Sequence, residues 1–402
     1  MNKTLGINGL GRIGKMSIWH HLARGHFDRL VVNTGRKVGR SMGDIADYIA
    51  SDSTYGTLHN YLLGVKGAKD CRVVSEERGE LMIHGVPVKV LREQRDPRKI
   101  PWREEGAKIV IDTTGVFTDP SKPADTPNGA LAGHLDGGAE RVILSAAFKL
   151  PPSGFPDNAA YLVYGANHHN FQPTRHRIIS AASCTTTALA HMLLPLLNDA
   201  RTARLVTAGM STVHATTQTQ SILDAVPKDK DKDLRRSRSF LDNIIITTTN
   251  AARALDWVIP EVKAIGFLAD SVRIPTDTVS LIILNLTFQT SMQANGDSVI
   301  TREIINDIYR NAMENGLPHL VTYSDKQNVS IDMKGFNSAV VIEGTETHTR
   351  TGFIKLALPT ECGARDVEVP VTHAKVFGWY DNELGSYTNR LGDLTAYIDE
   401  SA

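Results

Sequence analysis

The sequence predicts two domains: an α/β domain built on a parallel sheet, followed by an α+β domain with a mixed, largely antiparallel sheet. A chain of 402 residues is longer than a single domain usually is. In its first half, short β-branched runs alternate with helical patterns, which is typical of a parallel sheet. Beyond residue 200, long β-rich stretches favour antiparallel pairing.

The composition limits the partners and the compartment. Because 44 basic residues balance 44 acidic ones, no net charge draws the chain to nucleic acid or to an anionic membrane, and we predict neither partner. Cys71, Cys184 and Cys362 are too few and too far apart for a disulfide framework, so a reducing compartment is expected. With no leader before the first strand and no apolar run of membrane length, we expect a soluble cytoplasmic protein.

The first elements form a strand, a glycine turn, a helix and a second strand. Thr4–Asn8 and Leu30–Asn33 are the predicted strands, and Gly9, Gly11 and Gly14 lie between them. Such glycines allow a tight turn, close approach of a pyrophosphate and close packing of helix on sheet, and the helix N-terminus supplies an anion site. We predict a dinucleotide-binding Rossmann domain. The alternative is an ordinary turn with the same glycine spacing.

The residue that follows the second strand bears on the choice of cofactor. Many such folds carry there a carboxylate that bonds the ribose 2′-hydroxyl, but this chain has Thr34, with Arg36, Lys37 and Arg40 after it. A carboxylate would repel a 2′-phosphate, whereas a hydroxyl beside cations can accept one. The sequence therefore favours NADP over NAD. A solvated basic loop that takes either cofactor is the alternative.

Two further predicted strands, Lys108–Asp112 and Arg141–Ser145, end in small or hydroxyl residues. Ligands of parallel sheets bind beyond the carboxyl ends of the strands, so we expect Thr114, Gly115 and Ser145 to line the cofactor site. Between these strands, residues 119–129 are rich in turn formers and are expected to lie on the surface.

Cys184 follows a β-branched run and small hydroxyl residues, and it precedes a helical pattern that Pro195 is expected to end. The unpaired N–H groups at the start of a helix lower the energy of a thiolate and of nearby anionic oxygens. A reactive thiol is one interpretation of this position, and a buried structural cysteine is the other.

The second domain is predicted from three β-rich stretches, Arg204–Val213, Asn243–Thr249 and Thr278–Gln289, and a last helix at Thr388–Ile398 could return to cover the first domain. His214 closes the first stretch. Because a histidine exchanges protons near neutrality, His214 could complete a Cys/His site; a strand-end histidine that faces water is the alternative. No Cys, His and carboxylate set has zinc-ligand spacing, and no metal site is predicted.

Two arginines suit phosphate oxygens. Arg236 lies in the basic segment 234–238 and could reach an anionic substrate. Arg273 stands alone among apolar and small residues at 272–276, where it needs an anionic partner. That partner is either a structural carboxylate or a ligand phosphate.

Five segments together resemble the phosphorylating glyceraldehyde-3-phosphate dehydrogenase family. They occur in the family's order over nearly the whole chain, at residues 8–14 (NGLGRIG), 182–186 (ASCTT), 233–238 (DLRRSR), 272–276 (VRIPT) and 378–383 (GWYDNE). The resemblance implies a Rossmann domain of residues 1–182, completed by the C-terminal helix 383–402, and a catalytic domain of residues 183–382. It also implies a homotetramer.

The reaction that the resemblance implies is the phosphorylating oxidation of glyceraldehyde 3-phosphate to 1,3-bisphosphoglycerate. It would proceed through a cysteine thioester, with hydride transfer to NAD or NADP and with inorganic phosphate as the second substrate. Cys184 would be the nucleophile and His214 the base. Arg12 and Ile13 would meet the pyrophosphate through backbone N–H groups, and Asn382 would fix the nicotinamide amide.

The patterns described above and the resemblance together give the full set of expected site residues. The cofactor would be bound by Gly9, Gly11, Arg12, Ile13, Gly14, Thr34, Arg36, Arg95, Thr114, Gly115, Ser145 and Asn382. Inorganic phosphate would be bound by Ser183, Thr185, Arg236 and Thr249, and the substrate phosphate by Thr217 and Arg273.

The chain also departs from the family pattern. Thr187 replaces an asparagine, Asn250 replaces a glycine, and Ala215-Thr216 replaces Ser-Tyr after the histidine. Asparagine tolerates unusual backbone angles, but its side chain could crowd a phosphate. Additional segments near 119–130 and 348–372 lengthen the chain. An erythrose-4-phosphate dehydrogenase, which uses the same thiol and histidine, and a catalytically silent nucleotide-binding relative are the alternatives.

Overall fold

A computed structural model describes residues 3–149, 154–217, 220–227, 229, 233–358 and 366–402. The chain divides into two compact units. Unit 1 comprises residues 1–183 and 387–402, and unit 2 comprises residues 184–386. The first unit is α/β and the second is α+β, so the predicted fold classes are confirmed.

Unit 1 is built on a nine-stranded sheet in the order β10-β11-β9-β8-β1-β2-β7-β6-β5. All its strand pairs are parallel except those that β6 makes with β5 and β7. The elements of this unit are β1 Thr4–Asn8, α1 Arg12–Arg24, β2 Arg29–Asn33, α2 Met42–Ala50, β3 Ser51–Asp52, β4 Gly56–Thr57, α3 Leu58–Leu63, β5 Cys71–Ser75, β6 Glu80–Ile83, β7 Val86–Leu91, β8 Ala107–Asp112, α4 Ala132–Asp136, β9 Arg141–Leu144, β10 Ala159–Tyr161 and β11 Ile178–Ser180.

The centre of this sheet is apolar on both faces, as expected for parallel strands. Leu5 and Ile7 of β1 and Val110 and Ile111 of β8 are fully buried. Because neighbouring parallel strands end at the same edge, the loops after β1, β2, β8 and β9 meet at the carboxyl edge of the sheet. Most of the predicted cofactor residues lie in these loops or in the first turn of α1, whereas Arg95 follows β7 and Asn382 belongs to unit 2.

Unit 2 contains a mixed sheet in the order β13-β14-β12-β15-β19-β17-β16, with β18 paired to β19. Only the pairs β12–β14 and β16–β17 are parallel. Its elements are α5 Cys184–Asn198, β12 Leu205–His214, β13 Ile245–Thr247, α6 Ala251–Val258, β14 Gly266–Arg273, β15 Ser280–Gln289, α7 Arg302–Asn315, β16 Val321–Ser324, β17 Val340–Glu343, β18 His348–Ala357 and β19 Asp366–Tyr380. The chain then returns to unit 1 as α8, Asn389–Glu400.

One local prediction is wrong. Pro195 does not end α5, which continues to Asn198. A proline inside a helix removes one N–H and therefore one backbone hydrogen bond. The next residue, Leu196, is fully buried. Its burial favours the extra turn and offsets the lost bond.

The described part of the additional segment 348–372 forms β18 and the start of β19, which pair with each other. Residues 359–365, among them Cys362, lie outside the described residues. The other additional segment, near 119–130, is a series of turns, as predicted from its composition. No helix in the described parts of the chain is long and apolar enough to cross a membrane.

Candidate active site

Cys184 is the first residue of α5, at a sharp turn between β11 and the helix. Within this turn Ala182 has a φ of 56°, a left-handed conformation that costs free energy in a residue with a Cβ. The Ser180 hydroxyl holds the turn, because its Oγ accepts a hydrogen bond of 3.1 Å from the Ala182 N–H. The turn therefore presents the thiol where the first N–H groups of the helix have no partner within the helix.

His214, at the end of β12, faces this thiol. The Cys184 Sγ lies 3.6 Å from His214 Nε2. On the other side of the ring, Nδ1 lies 2.7 Å from the Ala215 carbonyl oxygen. With the proton on Nδ1, the ring donates to this carbonyl, which only accepts, and offers the Nε2 lone pair to the thiol. The structure thus brings together the two residues that were predicted as nucleophile and base.

Arg273 lies on the neighbouring strand, directly opposite His214 in the register of β12 and β14. Its Nη1 donates to the Ala215 carbonyl at 3.0 Å and lies 2.8 Å from His214 Nδ1. Among the described residues, no carboxylate lies within ion-pair distance of this partly buried arginine. Of the two predicted partners, the structural carboxylate is therefore not found among these residues.

The surroundings of the pair favour its neutral form. Burial and, to a smaller extent, the Arg273 cation lower the pKa of His214 to about 3, against the opposite effect of the Ala215 carbonyl. Burial raises the pKa of the Cys184 thiol, whereas Arg273 and the hydroxyl and N–H of Thr185 lower it. In this geometry the pair is therefore mainly a neutral thiol and a neutral imidazole at neutral pH, and the predicted thiolate is a minor form.

Tyr380 contacts the residues around the Cys184–His214 pair, and its role was not predicted from the sequence. Its hydroxyl lies 2.9 Å from the Thr185 Oγ1 and 2.9 Å from the Thr212 Oγ1, which ties the start of α5 to β12. Its ring meets the His214 ring edge-on, with centroids 6.2 Å apart. The signal was present in the sequence, since Tyr380 lies within the segment 378–383 that carries the family resemblance.

Asn382 is buried at the end of β19 and has a fixed orientation. Its Oδ1 accepts from the hydroxyls of Thr278 (3.5 Å) and Ser280 (3.4 Å). The same Ser280 Oγ accepts from the Ala215 N–H at 3.1 Å. Between the two hydroxyls, Val279 has a φ of 67°, a strained conformation for a β-branched residue. With its oxygen engaged, Asn382 would present its amide Nδ2 to a ligand.

The other predicted phosphate-binding residues have separate surroundings. The Thr185 hydroxyl contacts Tyr380, and the Thr249 Oγ1 accepts from the Ala251 N–H at 3.1 Å. Asn250, the residue that replaces a glycine, has an ordinary φ of −94°, so the substitution causes no backbone strain. Ser183 immediately precedes α5, Thr217 lies in the loop after β12, and Arg236 lies in an exposed segment.

In unit 1, the glycine turn fits a pyrophosphate. Gly9 has a φ of 102°, and a Cβ on Gly14 would lie 2.1 Å from the Gly9 carbonyl oxygen, so neither position admits a side chain. The Arg12 side chain is paired with Asp52 and lies over the Tyr55 ring. Arg12 would therefore meet a pyrophosphate through its backbone N–H only, like Ile13 at the start of α1.

Thr34, in the loop after β2, is fixed by hydrogen bonds from both its backbone N–H and its hydroxyl. The Thr34 Oγ1 donates to the Arg36 carbonyl at 2.7 Å, and its oxygen keeps acceptor capacity. Arg95 donates through Nε to the Gly35 carbonyl at 3.3 Å. The Arg40 side chain is 94% exposed, and its Nε lies 3.5 Å from the Asp44 Oδ2. Asp44 would therefore compete with a phosphate for this cation. Arg36 is exposed in the same loop.

Thr114, Gly115 and Ser145 follow β8 and β9 at the same edge of the sheet. The Ser145 N–H donates to the Asp112 carbonyl at 2.9 Å, and Thr114 bonds the Asp112 carboxylate. Among the described residues, no group of three or more His, Cys, Asp or Glu side chains is arranged to hold a metal ion.

Sequence comparison gives two family matches. Residues 3–120 match the profile described as Glyceraldehyde 3-phosphate dehydrogenase, NAD binding domain, and residues 183–382 match the profile of the C-terminal domain. Glyceraldehyde-3-phosphate dehydrogenase 1 of Bacillus cereus is 32% identical over 396 residues, which cover 98% of both chains. Glyceraldehyde-3-phosphate dehydrogenase 2 of Streptomyces arenae is 34% identical over 406 residues and covers 100% of both. The chain therefore belongs to the glyceraldehyde-3-phosphate dehydrogenase family.

Proposed function

We propose that this protein oxidises glyceraldehyde 3-phosphate to 1,3-bisphosphoglycerate, with inorganic phosphate and a nicotinamide dinucleotide. The observation that carries the proposal is the Cys184 thiol at a helix start, 3.6 Å from the His214 Nε2 and beside Arg273, which has no carboxylate partner in the described segments. The names of the relatives, which are glyceraldehyde-3-phosphate dehydrogenases, support it.

The first step uses the hydrogen bond from thiol to imidazole. His214 accepts the thiol proton at Nε2 while Sγ attacks the aldehyde carbon, and it then gives that proton to the former carbonyl oxygen, so that a hemithioacetal and a neutral imidazole result. His214 then accepts the proton of that hydroxyl as the C–H bond loses its hydride. A bound nicotinamide dinucleotide supplies the hydride acceptor. The product on the enzyme is a thioester of Cys184.

The second half of the reaction requires two phosphate positions. We assign the substrate phosphate to Arg273 and Thr217, and inorganic phosphate to Ser183, Thr185, Arg236 and Thr249. An oxygen of inorganic phosphate attacks the thioester carbon, the C–S bond breaks, and the acyl phosphate leaves. The energy of the oxidation is thereby retained in the product rather than lost to water.

For the cofactor, we propose that NADP binds at least as well as NAD. The support is Thr34 in place of a carboxylate, with Arg36 and Arg95 in the same region. Asn382 would hold the nicotinamide amide through its Nδ2. We further propose a homotetramer in the cytoplasm, on family resemblance.

Stopped-flow reduction of NAD and of NADP tests the proposal, with glyceraldehyde 3-phosphate and erythrose 4-phosphate as separate substrates. Without inorganic phosphate, we expect one rapid turnover per active site, because the thioester accumulates. With phosphate, we expect continuous turnover. Preference for the four-carbon aldehyde would favour an erythrose-4-phosphate dehydrogenase, and the absence of a burst with either aldehyde would favour the catalytically silent relative.

A further inference from the structure

A buried chain of polar side chains crosses the carboxyl ends of three neighbouring strands of unit 1. Asn33, Asn8 and Asp112 are the last residues of β2, β1 and β8, and they are paired in register. Their exposed fractions are 2%, 4% and 0%. The Asn33 Nδ2 donates to the Asn8 Oδ1 at 2.8 Å, and the Asn8 Nδ2 donates to the Asp112 Oδ2 at 2.8 Å.

The chain continues to His134 and Trp102, which are also fully buried. The Trp102 Nε1–H donates to the His134 Nδ1 at 3.0 Å. Since an indole can only donate, Nδ1 has no proton, and His134 is a neutral imidazole that donates from Nε2 to the Asp112 Oδ2 at 3.1 Å. On the other carboxylate oxygen, Thr114 donates twice, from its N–H (3.0 Å) and its hydroxyl (2.7 Å).

Asp112 is therefore an ionised carboxylate with neutral partners only. Four donors fill the acceptor positions of its two oxygens, which leaves no place for a proton of its own. In the described part of the chain, no lysine or arginine lies within ion-pair distance of it. A buried charge without a counter-charge is costly even when its hydrogen bonds are made. This cost suggests that the carboxylate serves something besides folding.

Both ends of the buried chain meet segments that we assign to the cofactor. The Asn33 Oδ1 accepts from the Gly35 N–H at 3.2 Å, in the loop that carries Thr34. At the other end, Asp112 holds Thr114. The neighbouring Thr113 hydroxyl contacts the Gly9 carbonyl at 3.0 Å, which joins the loop after β8 to the glycine turn. Ligands of such sheets bind at this edge.

We propose that Asn33, Asn8 and Asp112 are positioning residues for the dinucleotide. This buried chain fixes the loops after β2 and β8 against the glycine turn, so cofactor affinity depends on side chains that do not contact the cofactor. The inference rests on the proposed function, which supplies the cofactor.

The first test is Asp112→Asn in the full chain. The amide keeps the shape of the carboxylate, but its NH₂ faces groups that are themselves donors, so two of the four hydrogen bonds lose their acceptor. We expect the dissociation constants of NAD and NADP to rise about tenfold, which corresponds to roughly 1.4 kcal/mol. The turnover number at saturating dinucleotide and the alkylation rate of Cys184 should change less than about twofold, because unit 2 is untouched.

Glu343→Gln is the matched control. Glu343 is a buried carboxylate of unit 2 that also accepts from neutral donors, the Trp379 Nε1 and the Asn328 Nδ2, each at 2.8 Å. Glu343→Gln should lower the melting temperature about as much as Asp112→Asn does, but it should leave dinucleotide affinity unchanged. If both variants weaken the dinucleotide equally, the effect reflects general destabilisation, and the positioning role is refuted.

A second pair of variants keeps the proposal testable if Asp112→Asn does not fold. His134→Leu removes a donor to Asp112, whereas His134→Gln can still accept from Trp102 and donate to the carboxylate. We expect a several-fold loss of dinucleotide affinity with leucine and near-normal affinity with glutamine. Equal affinities in the two variants and in the unmodified protein would overturn the positioning role alone. If the unmodified protein binds neither dinucleotide, the proposed function fails with it.

Discussion

Cys184 and Cys71 differ in what surrounds their sulfur atoms. Cys71 lies on β5, where burial raises its pKa to about 11 and its Sγ donates to the Ala46 carbonyl at 3.5 Å. The Cys184 thiol is also shifted upward by burial, but it has a base at 3.6 Å, the Arg273 cation nearby and the first N–H groups of α5 around it. These contacts, rather than a low intrinsic pKa, are what could make it reactive.

We therefore expect iodoacetamide at neutral pH to alkylate Cys184 well before Cys71 and Cys362. Peptide mapping after timed quenching measures the three rates. Cys184→Ala should abolish turnover and leave dinucleotide affinity within a few-fold, because the glycine turn binds through its backbone. Similar alkylation rates for the three cysteines would contradict the assignment of the nucleophile.

His214→Asn should reduce the turnover number by roughly 10² to 10⁴, the usual contribution of a positioned acid–base group. The amide can still donate to the Ala215 carbonyl, so the fold around it is preserved, but it cannot accept the thiol proton. Steady-state rates between pH 6 and pH 9 are the measurement. A variant with unaltered rates over this range would exclude His214 from the mechanism.

At the scale of elements, buried histidines make helix α1 sensitive to acid. His21 is 1% exposed, packs edge-on against the Phe27 ring, and burial holds the pKa of its imidazole well below the ordinary value. The unfolded chain binds a proton there below about pH 6.5, whereas the folded protein does not, so stability falls as the pH falls below that value. At pH 5 the free energy of unfolding is lower by about 2 kcal/mol if the imidazole stays neutral in the folded protein.

His21→Phe should remove this contribution and flatten the dependence of unfolding free energy on pH between about 6.5 and 5. Urea denaturation at several pH values measures it. The control is His169→Phe, at an exposed position, which should not change the slope of unfolding free energy against pH. A slope that stays the same in His21→Phe would mean that His21 is protonated in the folded state.

The glycine turn and its flanking elements could be predicted because their causes are local. Gly9 is required because its φ is 102°, and Gly14 is required because a Cβ there would contact the Gly9 carbonyl oxygen. Both constraints arise from residues close together in the sequence. Tyr380 could not be assigned a role in this way, because its hydroxyl meets Thr185 from 195 positions away along the chain. The prediction that Pro195 ends α5 failed for a related reason, since burial of Leu196 depends on tertiary packing.

The loop after β2 allows a direct test of cofactor choice. Thr34→Asp places a negative charge at the position expected for a 2′-phosphate, beside Arg36 and Arg95. A charge-assisted hydrogen bond contributes roughly 1.5 to 3 kcal/mol, so the ratio of NADP to NAD affinity should fall about tenfold or more. Titration of both forms with both dinucleotides measures the ratio. Strong preference of the unmodified protein for NAD would show that the basic loop faces solvent.

For the whole molecule, the path of the chain makes unit 1 depend on the last residues. The chain leaves unit 1 after residue 183 and returns at residue 387. Helix α8 then buries Leu391, Leu394 and Ile398, with exposed fractions of 2%, 1% and 0%. Polar contacts tie it to the start of the unit, such as the 2.6 Å pair of Arg24 with Asp393. Unit 1 thus includes residues that follow unit 2 in the sequence.

Leu394→Ala tests this dependence. Truncation of a buried leucine leaves a cavity and typically costs about 2 to 5 kcal/mol, which is a large fraction of the stability of a domain. We expect dinucleotide binding to be lost at a lower temperature than in the unmodified protein, as measured by fluorescence titration over a temperature series. The control is Leu356→Ala, at an exposed position on β18, which should leave that temperature unchanged. If Leu394→Ala behaves like this control, α8 does not support the fold of unit 1, and residues 1–183 should then bind the dinucleotide without it.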